Sequence, residues 1–151
     1  MFKCLKVIIK YSEKKKSNHF LKEDTVSKGI ISYANARGMD IIPTKQGYPA
    51  CTVLAFGNSA ITADCGMAKL LSENGVCVTL IENGEILLPP YEYGFIGGAS
   101  GVYGSEVFFL GDIGTHRDAK KICDAIISEG FSPVSLSDEP LADLGRILFI
   151  D

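Results

Sequence analysis

AKLLSENGVCVTLI, residues 68–81, joins an apolar helical stretch to a strand through one glycine, Gly75. The same order returns as ISYANARGMDIIPT at 31–44, around Gly38, and as CDAIISEGFSPVSL at 123–136, around Gly130. Glycine suits the junction because a left-handed residue closes many helices. A supersecondary unit reused along a chain says more about architecture than any isolated motif.

The flanks of these three stretches complete the units. Ahead of the second, QGYPACTVLAF reads as a strand with Cys51 at its start, Gly57-Asn58-Ser59 as a hairpin turn, AIT as the return, and Asp64 as the start of a helix ending at Asn74-Gly75. Ahead of the third, ILLPPYEYGFIGGASGVYG forms a glycine-rich preface to a strand, EVFFLGD, and a helix over 118–128. Ahead of the first, a strand is expected over 3–10 and a helix capped by Asp24 or Thr25, with Ile30, Ile31, Tyr33 and Ala34 on its apolar face. After the third unit, DEPLADLGRILFI reads as a turn and a final strand at 147–150. The expectation is one α/β domain over 1–151, built of strand-strand-helix-strand units at 3–44, 45–82 and 83–137 plus that strand.

Composition narrows the function classes. A chain of 151 residues can bury a real core without disulfide staples. Its five cysteines, Cys4, Cys51, Cys65, Cys77 and Cys123, contain no C-x-x-C pair and sit mostly in apolar runs, as thiols of a cytoplasmic protein do. No stretch approaches the roughly 18 apolar residues of a membrane helix. Net charge is −3, with ten Lys/Arg against four Asp/Glu in residues 1–46 and five against fourteen in the rest. That split favours contact with an opposite surface, although a solvated basic loop at EKKK, 13–16, is the plainer reading. No aromatic residues interleave with those lysines, which argues against nucleic acid.

Few residues offer chemistry. His19 and His116 are the only histidines, so a His-based metal site has little support. In GTHRDAKK, Thr115 and Asp118 resemble a helix-capping arrangement with His116 exposed in the first turn. Cys65 falls at a helix N-terminus and reads first as a small first-turn residue, and Cys77 and Cys123 read as core. Gly94, Gly97, Gly98, Gly101 and Gly104 are followed by a strand rather than a helix, and no Walker lysine accompanies them. A phosphate cradle is therefore not expected, whereas close backbone approach is. Asp64, Asp112 and Asp143 fall near turns of successive units, as turn and cap residues or as carboxylates for a cation.

KQGYPACTV, NSAITADCGMAKLL, YEYGFIGGASG, FFLGD and SDEPLADLG, spread over Lys45–Asp151, resemble a family of uncharacterised bacterial proteins grouped with the guanidino-group-modifying-enzyme, or pentein, fold. The resemblance implies a propeller-like ring of five strand-strand-helix-strand units, of which three and a strand are present here. It also implies a channel-mouth pocket drawing on Tyr48, Asp64, Tyr91, Tyr93, Gly97, Gly98, Ser100 and Asp143, for an amine or guanidine ligand. Enzymes of that fold pair a nucleophilic Cys with a His and acidic residues. Here Cys51, with His116 or His19, is the nearest match, and no complete set is identifiable. The expected function is a ligand-binding domain without cofactor or metal. The alternatives are a guanidino-group hydrolase or transferase using Cys51, and an interaction module that forms homo-oligomers through open strand edges.

Overall fold

The computed structural model describes residues 8–9, 17–21, 28–37, 39–44 and 46–150. Most of the expected first strand, Cys4, the basic run 13–16, the cap candidates Asp24 and Thr25, and Gly38 lie outside the described residues.

Three small sheets follow one another along the chain, each of three strands. The first holds β1 (Ile8–Ile9), β2 (Ser17–Leu21) and β3 (Met39–Pro43), with helix α1 (Lys28–Ala36) between the last two. After the one-turn helix α2 (Pro49–Thr52), the second holds β4 (Val53–Phe56), β5 (Ser59–Thr62) and β6 (Cys77–Leu80), with α3 (Cys65–Glu73) before β6. The third holds β7 (Ser100–Tyr103), β8 (Glu106–Phe109) and β9 (Ser132–Ser135), with α4 (Ala119–Ser128) before β9. In every sheet the first pair of strands is antiparallel and the second parallel. A tight turn suffices for the first pair, whereas a parallel neighbour requires a crossover, which the helix supplies.

The two described glycine junctions, at Gly75 and Gly130, work as expected. Gly75 (φ +75°) donates to Ser72 O, and Val76 N–H donates to Leu71 O. Gly130 (φ +79°) and Phe131 repeat this with Ile127 O and Ile126 O. Both are Schellman closures, which satisfy the last carbonyls of the helix while turning the chain into the next strand. At the other end of α3, Asp64 Oδ1 accepts the Met67 N–H at 2.9 Å. β4 and β5 meet through Gly57-Asn58, with Phe56 opposite Ser59.

The second and third sheets share one core. Ile61, Val107, Phe109, Ile122, Ile126 and Leu141 are fully buried and belong to a single apolar cluster. Ile122 and Ile126 stand four apart on α4, so both point to the same side of the helix. Glu129, at the end of α4, accepts the Asn58 N–H at 3.1 Å and the Ser59 hydroxyl at 2.7 Å. The third group is thereby tied to the hairpin of the second.

Several expectations are corrected. Cys51 does not begin a strand: Tyr48 O accepts the N–H groups of Cys51 and Thr52, which closes the turn of α2 and delays β4 to Val53. Cys77 is exposed rather than core, whereas Cys123, half-buried, packs against the main apolar cluster. Val78 packs inward from β6, so strand alternation turns Cys77 outward. Tyr33 is half exposed rather than packed in an apolar face.

His116 is buried, not exposed. The chain makes a separate 3₁₀ turn at Ile113–Thr115, capped by Asp112, before α4 begins, and His116 folds inward between the two. Residues 147–150 form no strand. Extended pairing comes earlier: Leu87 bridges Ala142 and Asp112 bridges Pro140. Leu141, fully buried, anchors that stretch, while Leu148 and Ile150 are exposed.

Candidate functional site

Three sequence-distant segments line an open cavity of about 790 Å³. Tyr48 and Cys51 come from α2 and its cap, Leu88, Tyr91, Glu92, Tyr93 and Phe95 from the loop ahead of β7, and Asp143, Leu144 and Gly145 from the turn after the Ala142 bridge. Cavities of roughly 300–1,000 Å³ take whole small-molecule ligands.

Glycines let the walls meet. A Cβ on Gly97 would stand 2.5 Å from the carbonyl oxygens of Ala50 and Val53 and 2.7 Å from that of Cys51. A Cβ on Gly98 would run into the Asp143 carboxylate. With only hydrogen there, the Gly98 N–H reaches Cys51 O at 3.0 Å and α2 docks directly onto the loop. Close backbone approach, expected of this glycine run, is therefore its structural use.

Asp143 is 5% exposed. Its Oδ2 accepts the Phe95 N–H and its Oδ1 the Gly145 N–H, both at 2.9 Å. Such bonds compensate a carboxylate for lost water and fix its orientation. The Tyr93 and Phe95 rings meet edge to face, with centroids 6.3 Å apart. Tyr48 and Tyr91 are exposed, so the cavity opens between aromatic walls.

The residues expected to bind a ligand divide into three groups. Tyr48, Tyr91, Tyr93 and Asp143 line the cavity together with Cys51. Gly97 and Gly98 lie behind its wall, and Ser100 is buried with its hydroxyl donating to Ile96 O at 2.6 Å. Asp64 lies in a separate depression beside Gln46, whose Nε2 donates to Asp64 Oδ2 at 2.7 Å. Asp64 and Asp112 both act as caps. Glu92 and Phe95 escaped notice in the sequence, although the YEYGF order, with Glu92 between two tyrosines, signalled an aromatic and acidic loop.

His116 is not among the cavity residues. Its Nδ1 accepts the Asp118 N–H at 3.0 Å and lies 3.8 Å from Glu85 Oε2. Glu85 in turn accepts the Arg117 backbone N–H and receives the Arg117 Nε at 2.6 Å. Those two bonds, the backbone one first, hold the Glu85 carboxyl below its ordinary range. The histidine thus sits beside the Glu85–Arg117 clamp at the start of α4, with its buried Nε2 unpartnered among the described residues. His19 lies on β2, opposite Ile41 of β3. Among the described residues no cluster of three His, Cys, Asp or Glu could hold a metal ion, and no helix is long and apolar enough to cross a membrane.

In structure the chain is similar to agmatine deiminase of C. jejuni, at 8% identity and a TM-score of 0.56, over 85% of this chain and 48% of that one. It is also similar to a cysteine-to-serine variant of that enzyme with substrate bound, at 9% identity and a TM-score of 0.54, over 85% of this chain and 49% of that one. The chain thus spans about half the length of these structures, and identities so low establish a related mixed α/β fold alone. No curated protein matches the sequence. A family model described as "Family of unknown function (DUF6873)" matches residues 9–148, and the chain belongs to that family.

Proposed function

We propose that this chain is a pentein-type domain whose cavity binds a small organic cation of the amine or guanidine class. The composition of the cavity carries the reading: two carboxylates, Glu92 and Asp143, stand among four aromatic residues, and among the described residues no Lys or Arg lines it. Negative charge beside ring faces attracts cations and disfavours anions. In the same proposal the three sheet groups are successive sectors of a propeller-like ring, which their common strand pairing supports.

Calorimetric titration with agmatine and with simple alkylamines tests the ligand class, with alcohols of equal length as neutral controls. Binding of the cations, weakened by Glu92→Gln, is the expected result. If cations and alcohols behave alike up to millimolar concentration, the reading fails.

A second reading, a guanidino-group hydrolase or transferase, is favoured by one observation: Cys51 shares the cavity with Asp143. Proton transfer there requires a base within reach, and His116 is not among the lining residues. Incubation of the chain with agmatine and assay for released ammonia separates the readings, since binding without turnover supports the first. Self-association through open sheet edges belongs to the proposal too. The end strands of the three-stranded sheets offer such edges, and Leu148 and Ile150, 79% and 94% exposed and outside any strand, are further apolar side chains that a second copy would cover. Sedimentation velocity checks this, with Ile150→Lys expected to shift a dimer towards monomer.

A further inference from the structure

We infer that the cavity prefers a methylated ammonium group to a guanidinium. The inference rests on the reading that the cavity takes an organic cation, and it concerns which kind.

The carboxylate deepest in the wall is poorly set for a guanidinium. Recognition of that planar group relies on two parallel N–H···O bonds to one carboxylate, with both oxygens presented together. In Asp143 each oxygen already accepts a backbone N–H, from Phe95 and from Gly145, and the side chain is wedged against Gly98. One acceptor direction on each oxygen is thereby taken and the side chain is held fixed, so a guanidinium has to fit the remaining directions as they stand, whereas the negative charge reaches any cation in the cavity. Glu92, the other carboxylate, is exposed, so water competes for the paired N–H···O bonds a guanidinium needs while the charge still adds to the negative field of the cavity.

The rings favour the other cation. Tyr48, Tyr91, Tyr93 and Phe95 contribute four aromatic side chains to one cavity, with Tyr93 and Phe95 locked edge to face. A methylated ammonium carries diffuse charge, has few or no N–H groups to satisfy, and is held by ring faces and by charge at a distance. A guanidinium brings five N–H donors, and each one left unpaired among rings costs free energy. Beyond the two carboxylates, the side-chain acceptors of the lining are three neutral tyrosine hydroxyls, weaker than a carboxylate, and Cys51, Leu88 and Leu144 add no strong one.

The test is a set of calorimetric titrations of the full chain with choline, tetramethylammonium, guanidinium and agmatine, all as chlorides, against sodium chloride at matched concentration. Methylated ammonium ions are expected to bind about tenfold tighter than guanidinium compounds, the differential that one or two cation–π contacts provide. Tyr91→Leu, at an exposed position that folding does not depend on, is expected to remove most of that preference while leaving the melting temperature unchanged. Equal or tighter binding of guanidinium or agmatine overturns the inference and leaves the cation-binding reading standing. A choline affinity unaffected by Tyr91→Leu also overturns it. Binding by neither class overturns the cation-binding reading itself, and this inference with it.

Discussion

Gly98 is the residue on which the cavity wall turns. It lies against Asp143, and its N–H bonds to Cys51 O, so one position joins the acidic turn to α2. Gly98→Ala is expected to cost about 1–3 kcal/mol by overpacking, read as a lower urea midpoint. A neutral result would mean that the Asp143 turn moves freely. Cys123 supports a second prediction. Burial, and then the neighbouring Asp124, push its thiol pKa up, so at mildly alkaline pH it should alkylate more slowly in the folded protein than in urea. Site-resolved mass spectrometry checks this, and equal rates would contradict it.

Among the elements, α4 shows how local signals and distant contacts divide the work. Gly130 closes it at φ +79°, a conformation that costs a residue with a Cβ roughly 1–2 kcal/mol. Gly130→Ala should lower stability by that amount, measured by chemical denaturation. At the other end, the Glu85 clamp is sensitive to acid. Because the folded protein holds the Glu85 pKa below its ordinary 4.5, the clamp stabilises above that value and its contribution is lost as pH falls through the lower, folded value. The difference in melting temperature between the wild type and Glu85→Gln should therefore be present at neutral pH and close in acid below 4.5. A gap that persists in strong acid would assign the difference to packing instead.

For the molecule as a whole, the shared core of the second and third sheets makes them one cooperative body. Ile122 lies in the same cluster as Ile61 of β5 and Val107 of β8. Ile122→Ala should cost about 2–5 kcal/mol and reduce hydrogen-exchange protection in β5 and β8 together. Loss confined to the third sheet would show that the two unfold separately.

The sequence by itself determined the order of elements wherever the deciding interactions are local. Asp64 caps a helix three residues away, Gly75 and Gly130 close helices through bonds spanning one turn, and Gly57-Asn58 joins adjacent strands. Each signal lies within a few residues of what it decides, so it could be read without the fold. PACT was misread because four residues are too few to display a period, and the turn is decided by hydrogen bonds to Tyr48 O. Only the tertiary structure decided that Cys51 and Asp143 share a cavity, that Asp64 does not, and that His116 is buried away from it. Those outcomes depend on segments around residues 48, 91 and 143 packing together, and contacts between sequence-distant groups leave no periodic trace in the chain.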